Sequence, residues 1–295
     1  MGQQFTALYA DYRQGLIERR GFLARLAALA GSSAAAAAIL PMIHTDAANA
    51  AAVTIVLPTD PRIKVEPAVA IAGGPANFNG YLVTPTNINI PVPPKTRPAI
   101  VVVGESRGNS PNLQVMCRRL GTEGYIALGV DYLSAAGPSP ADEELANTMT
   151  AKLKPEDVIA WYRAASKFLK SRADVSKVGV MGFGWGGGVA NDLAIQDPLI
   201  DAAVIYYGRN PDLKQVGRIR APVLGHYAGL DGNILQSIPA YDAALTSAKK
   251  AHSFYIYPGA NSGFLNDTNA ARWDPVNAQL SWDRSVAFLH KYLGA

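Results

Sequence analysis

Residues 178–191 read Val-Gly-Val-Met-Gly-Phe-Gly-Trp-Gly-Gly-Gly-Val-Ala-Asn, and they constrain this chain more than any other stretch. A short apolar run of this kind is a buried strand. The glycines that follow permit a very tight turn, and the small residues after them let a helix start against the sheet. Enzymes that attack an acyl carbon place the nucleophile at such a turn, in the pattern Gly-x-nucleophile-x-Gly. Here the frame is Gly182, Phe183, Gly184, Trp185 and Gly186. The middle position, Gly184, has no side chain. The turn is therefore expected to be present without its reacting atom.

The rest of the chain supplies the setting for that turn. Residues 99–103 form a β-branched run suited to a fully buried parallel strand. From there strands and helices alternate. Helical patterns are expected at 113–120, 158–169, 241–249 and 282–292, and strands at 125–130, 178–181, 202–207, 223–227 and 254–257. Residues 134–141 read as a Pro/Gly-rich excursion. Alternation of this kind implies a mostly parallel sheet with helices on both faces, and with the turn at Gly184 it points to an α/β-hydrolase fold. Residues 51–97, which contain extended stretches at 53–57, 63–71 and 78–83, are expected to be its N-terminal strands. Residues 98–295 are expected to be its core.

Composition narrows the function. Hydrophobic residues make up 49% of the 295 and charged residues 17%, enough for a sizeable core. The net charge is +4, and removing residues 1–50 leaves 23 basic against 20 acidic side chains. That balance, with no Lys/Arg run, gives no footprint for nucleic acid. Cys117 is the single cysteine, so no internal disulfide and no Cys-based metal site is expected. No cofactor is expected either.

The N-terminal residues 1–50 read as an address. Glu18-Arg19-Arg20-Gly21-Phe22-Leu23 resembles a twin-arginine export signal. An uncharged run, 26–43, follows, and Ala48-Asn49-Ala50 fits a cleavage site. Left uncut, that run is just long enough to span a bilayer. The chain is thus expected to be periplasmic or exported, either free or anchored to the inner membrane by residues 1–43. Phe5, Leu8, Tyr12 and Leu16 recur at roughly helical spacing and could dock a partner.

Acyl transfer by the usual route needs a nucleophile, then an aspartate, then a histidine, in that chain order. Asp231 follows a strand in a Gly-flanked loop, where such an acid belongs. The loop after the last strand, 257–268, contains no histidine. The four histidines are His44 in the export segment, His226 inside an apolar strand, His252 at a strand start and His290 on the last helix. None is placed to serve Gly184.

These residues resemble the dienelactone hydrolase family, in particular its exported branch, over about residues 60–295. Members tend to show Gly-Phe-Cys-Trp/Tyr-Gly-Gly-Gly, which reads here as 182–188 with Gly184 in place of Cys. They show Tyr-Pro-Gly-x-x-His-Gly-Phe-x-Asn-Asp-Thr, which reads here as 257–268 with Ser262 in place of His. They also show His-Glu-Asn-Arg-Gly, which reads here Gly104-Glu105-Ser106-Arg107-Gly108. The resemblance implies that Asp231 is the triad acid and that Glu105 is the carboxylate beside the resting thiol. It implies an oxyanion hole from the backbone N–H groups of Trp185 and Ser106, with Arg107 beside it. The expectation is a non-catalytic member that binds a small carbonyl or carboxylate ligand or serves as a structural subunit. Two alternatives stand beside it. One is an active ester or lactone hydrolase using water activated by Glu105 or Asp231. The other is an anchored accessory subunit with protein partners in a membrane complex.

Overall fold

The computed structural model describes residues 56–88 and 94–294, together with the helical positions Gly21, Ala24, Arg25 and Ala28. The arginine pair, the uncharged run apart from Ala28, the cleavage site, His44 and the Phe5, Leu8, Tyr12 and Leu16 pattern lie outside the described residues. Among the described residues no helix is long and apolar enough to cross a membrane.

Eight strands form one sheet: β1 (Ile63–Ala70), β2 (Asn79–Pro85), β3 (Arg97–Val103), β4 (Ile126–Asp131), β5 (Val175–Phe183), β6 (Ile200–Tyr206), β7 (Val223–Ala228) and β8 (His252–Tyr257). Their spatial order is β1-β2-β4-β3-β5-β6-β7-β8. β1, β2 and β4 pair antiparallel, and every pairing from β4 through β8 is parallel. This is the mostly parallel α/β-hydrolase sheet. The reversal of order at β3 sets the loops after β3 and β5 side by side at the carboxyl ends of the strands, where open α/β sheets place their sites.

The helices are α1 (Pro111–Thr122), α2 (Glu143–Ala151), α3 (Pro155–Lys170), α4 (Trp185–Gln196), α5 (Gly232–Leu235), α6 (Ile238–Ser247) and α7 (Pro275–Leu293). Strand periodicity assigns the two cores. Ala99, Val101 and Val103 face one side with Tyr162 of α3, Leu193 of α4 and Tyr241 of α6. Ile100 and Val102 face the other with Met116 of α1 and Leu289 of α7. Starts are chemically marked. Ser110 accepts from the Leu113 amide at 3.2 Å ahead of Pro111, and Asp274 accepts from Asn277 at 3.0 Å ahead of Pro275.

Two differences from the sequence reading matter for the site. First, α2 was not expected. Only Ala146 and Thr150 of α2 are buried, so it lacks an apolar stripe. Its signal is instead the cap, with Asp142 accepting from Leu145 at 2.7 Å ahead of Glu143 and Glu144. Second, β5 is longer than the apolar run 178–181. Pairing with Arg97 extends it back to Val175, and pairing with β6 carries it on to Phe183.

Candidate functional site

The turn after β5 has the geometry its glycines imply. Gly184 sits at φ 55° and ψ −116° and caps α4. Its amide donates to the Tyr206 carbonyl at 2.9 Å, and its carbonyl accepts from Gly187 at 3.0 Å. The flanking glycines are obligatory for contact reasons. A Cβ on Gly182 would lie 2.1 Å from the Gly186 carbonyl oxygen. One on Gly186 would lie 2.2 Å from that of Gly104. A Cβ on Gly184 would meet only Glu105 Cγ, at an ordinary 3.7 Å. A Cβ at Gly184 therefore meets no steric bar, and the backbone conformation alone opposes it. The Trp185 amide opens α4 with no intrahelical acceptor, while its ring packs on Tyr132 with centroids 4.7 Å apart.

Glu105 borders that position from the loop after β3. Its Oε2 accepts from Asn266 Nδ2 at 3.2 Å. The Asn266 amide cannot turn away, because its Oδ1 accepts from the Thr268 amide at 3.0 Å and hydroxyl at 2.6 Å. Burial pushes the Glu105 carboxyl above the usual carboxylate range, against the Asn266 hydrogen bond and the positive charges of Arg107 and Arg272. The neighbouring side chains point to α2. The Ser106 hydroxyl meets Asn147 Oδ1, and Arg107 Nη2 donates to Glu143 Oε2 at 2.5 Å. Tyr132 completes the support, donating to the Glu105 carbonyl at 3.4 Å and pairing with the Thr150 hydroxyl at 2.9 Å.

Asp231 and Ser262 meet in space. Asp231 caps α5, its Oδ1 accepting from Ile234 at 3.2 Å, and its Oδ2 accepts the Ser262 hydroxyl. Backbone bonds from Gly229 to Tyr257 and from Leu230 to Ala260 join the two loops. Beside this pair opens a cleft of about 600 Å³. Asn233, Gln236, Asn261 and Arg272 contribute to its lining. Among the described residues no imidazole faces Asp231. His226 is fully buried, bonded to Tyr257 Oη at 2.8 Å and Ser285 Oγ at 3.0 Å, and stacked on Tyr206. His252 bonds Asp242 at 3.1 Å, and His290 packs on Tyr125.

Three residues at the site escaped the sequence reading: Asn266, Tyr207 and Arg272. Asn266 had a signal, because it belongs to the Asn-Asp-Thr run after Ser262. Tyr207 follows β6 at φ 39°, an uncommon backbone state for a tyrosine. Its hydroxyl is buried beside the Leu265 backbone, and after burial itself the charge of Glu105 acts on it most. Arg272 lines the cleft on an exposed loop that carries no pattern. Among the described residues no group of His, Cys, Asp or Glu could hold a metal ion.

Comparison with known proteins agrees with this fold. The profile described as the dienelactone hydrolase family matches residues 78–293. A protein of Saccharolobus solfataricus named "Putative carboxymethylenebutenolidase" is 29% identical over 253 residues, covering 73% of this chain and 95% of its own length. Two solved structures share the fold. A dienelactone hydrolase-like promiscuous phosphotriesterase from metagenomic libraries superposes with a TM-score of 0.69 at 20% identity, covering 79% of this chain and 100% of that one. A dienelactone hydrolase from Anabaena variabilis superposes at 0.59 with 22% identity, covering 79% and 99%.

Proposed function

The chain belongs to the dienelactone hydrolase family, and from that premise we propose that it binds a small carbonyl or carboxylate compound without turning it over. One observation carries the reading. Asp231 is engaged by the hydroxyl of Ser262, where the triad needs an imidazole, while Gly184 presents no atom to attack with. A hydroxyl cannot accept and return a proton near neutral pH as imidazole does. Ser262 is no replacement nucleophile, because the base beside it is the Asp231 carboxylate, far too weak to take a hydroxyl proton without an imidazole between them. What remains is a binding site: the Trp185 amide at a helix N-terminus, the carboxyl of Glu105 and the cleft beside Asp231.

Turnover assays test this directly. Purified protein is expected to hydrolyse p-nitrophenyl acetate and a butenolide lactone no faster than buffer. The Gly184→Cys/Ser262→His double variant restores both missing groups, and it is expected to exceed buffer by at least tenfold. Turnover by the unmodified chain would overturn the reading.

A second reading has one observation in its favour. The buried Glu105 carboxyl, raised above its ordinary range, has the character of a general base. If it activates a water, Glu105→Gln abolishes a measurable wild-type turnover. Location belongs to the proposal as well. Arg19-Arg20 and the uncharged run 26–43 support export, with anchoring and a partner complex as the uncut form. An intact mass beginning near Ala51 would exclude the anchored subunit.

A further inference from the structure

We propose that the outer edge of β8 pairs with the same edge of a second copy of this chain, antiparallel about a two-fold axis at Phe254. The pairing is independent of whether the site turns anything over.

The two ends of the sheet differ sharply. β1 and β8 are its outermost strands. An edge strand offers a row of free N–H and C=O groups to any passing strand, and monomeric proteins block it with charge, proline or a bulge. β1 has all three. Lys64 pairs with Glu66 at 3.4 Å, Pro67 lies within the strand, and the register shifts between Glu66 and Val69. β8 reads His-Ser-Phe-Tyr-Ile-Tyr, with no acid, lysine, arginine or proline, and it follows β7 without a register shift. Ile256 on this strand is 52% exposed. Among the described residues no strand pairs with its outer side.

The ladder to β7 fixes which groups point outward. Val223 donates to the Ala251 carbonyl at 3.0 Å, and Gly229 donates to that of Tyr257 at 2.9 Å. Alternation along the strand then turns Ser253 and Tyr255 toward β7 as well. The peptide groups of His252, Phe254 and Ile256 are left facing out.

A second copy matches this edge by its own symmetry. With the axis at Phe254, His252 lies opposite the partner's Ile256, and Phe254 lies opposite its own copy. All the outward groups of both strands are then bonded, in about six hydrogen bonds. Moving the axis to Tyr255 sets His252 against the partner's Pro258, which has no N–H. With the axis at Phe254, Ser253 falls opposite the partner's Tyr255, a small side chain beside a large one. Charge agrees with this arrangement. Lys249 and Lys250 precede β8, and antiparallel pairing carries Lys250 about 27 Å from its copy. That exceeds the screening length of about 8–10 Å, so the lysines do not oppose the contact. Parallel pairing would set them side by side.

The edge is also held rigid from behind. Phe254 packs on Tyr227 and Tyr241 with centroids 5.4 and 5.2 Å apart, and the Arg284 guanidinium lies 3.9 Å from the centre of the Tyr255 ring. Little side-chain freedom is left to lose on pairing. The contact is small beside a standard interface of about 20–30 residues a side, so a reversible dimer is expected, with a dissociation constant of about 10–100 μM.

Sedimentation equilibrium of the full chain between about 5 and 500 μM tests the pairing. A reversible monomer–dimer equilibrium is expected. Ile256→Lys places a charge on the edge, at a side chain already exposed, and should weaken association at least tenfold. Leu145→Lys on α2, at an equally exposed 52%, should leave it unchanged. Circular dichroism checks that both variants fold. Amide exchange read by NMR supplies a measurement on the unmodified chain. Protection at the Phe254 and Ile256 amides should rise with protein concentration, whereas Ser253 and Tyr255 stay protected throughout. A monomer at about 500 μM would overturn the pairing, as would equal weakening by the two variants. Phe254 and Ile256 amides already protected in the monomer would overturn it as well, because a segment of the same chain would then cover the edge.

Discussion

Gly184 holds a backbone conformation that L-residues avoid, and nothing crowds the space its side chain would fill. Those two facts separate strain from sterics. A side chain at φ 55° and ψ −116° costs about 1–3 kcal/mol of backbone strain. Hydrolases that keep a nucleophile at such a turn carry this cost for the sake of reactivity. A glycine there relaxes it. Gly184→Ala is therefore expected to lower unfolding stability by about 1–2 kcal/mol in urea titrations, with no change in the fold by circular dichroism. Unchanged or higher stability would show that the turn is unstrained. The substitutions at Gly184 and Ser262 were legible in the sequence because a motif frame survives around each. The place of Tyr207 near Glu105 was not, since a phenol next to a strand end reads like any other core aromatic.

The element that fixes the site is α4, and it does so by close approach. A Cβ on Gly187 would sit 2.8 Å from both the Gly208 Cα and the Tyr206 carbonyl oxygen. Both contacts are to backbone, which cannot swing aside. Glycine to alanine inside an exposed helix stabilises by about 1 kcal/mol. Here the sign is expected to reverse, with Gly187→Ala losing about 2 kcal/mol or more by thermal or chemical denaturation. A gain would mean that α4 does not bear on β6 as described. The three successive glycines were visible in the sequence, and so was the helix after them. The second supporting element, α2, was not. It holds Ser106 and Arg107 through Asn147 and Glu143 from an exposed position. Hydrophobic periodicity finds helices by the face they bury, and α2 buries almost none.

The whole molecule carries an acid-sensitive element in its second core. His226 is buried neutral among Tyr206, Tyr257 and Ser285, its basicity depressed by burial and by the charge of Arg284. The unfolded chain therefore binds a proton near the ordinary histidine pKa of about 6.5 that the folded chain refuses. Stability is full above that pH and falls as pH drops below it, by up to about 1.4 kcal/mol per unit. Glu105, Asp131, Asp192 and Asp267 act oppositely. Their raised carboxyl pKa values favour folding as pH falls from each folded value toward about 4. Urea midpoints between pH 8 and 5 should thus decline first with the histidine slope. His226→Phe, weaker at pH 8 for its lost hydrogen bonds, should show a flatter profile, and an unaltered slope would refute the assignment. At this scale the sequence determined the sheet, its helical layers and the tight turn, because each is written in local periodicity and glycine placement. The meeting of Asp231 with Ser262, of Glu105 with Asn266 161 positions away, and of Tyr207 with Glu105 was decided only by tertiary structure. Strand order at the sheet's carboxyl edge creates those contacts, and local pattern holds no record of which loops that order brings together.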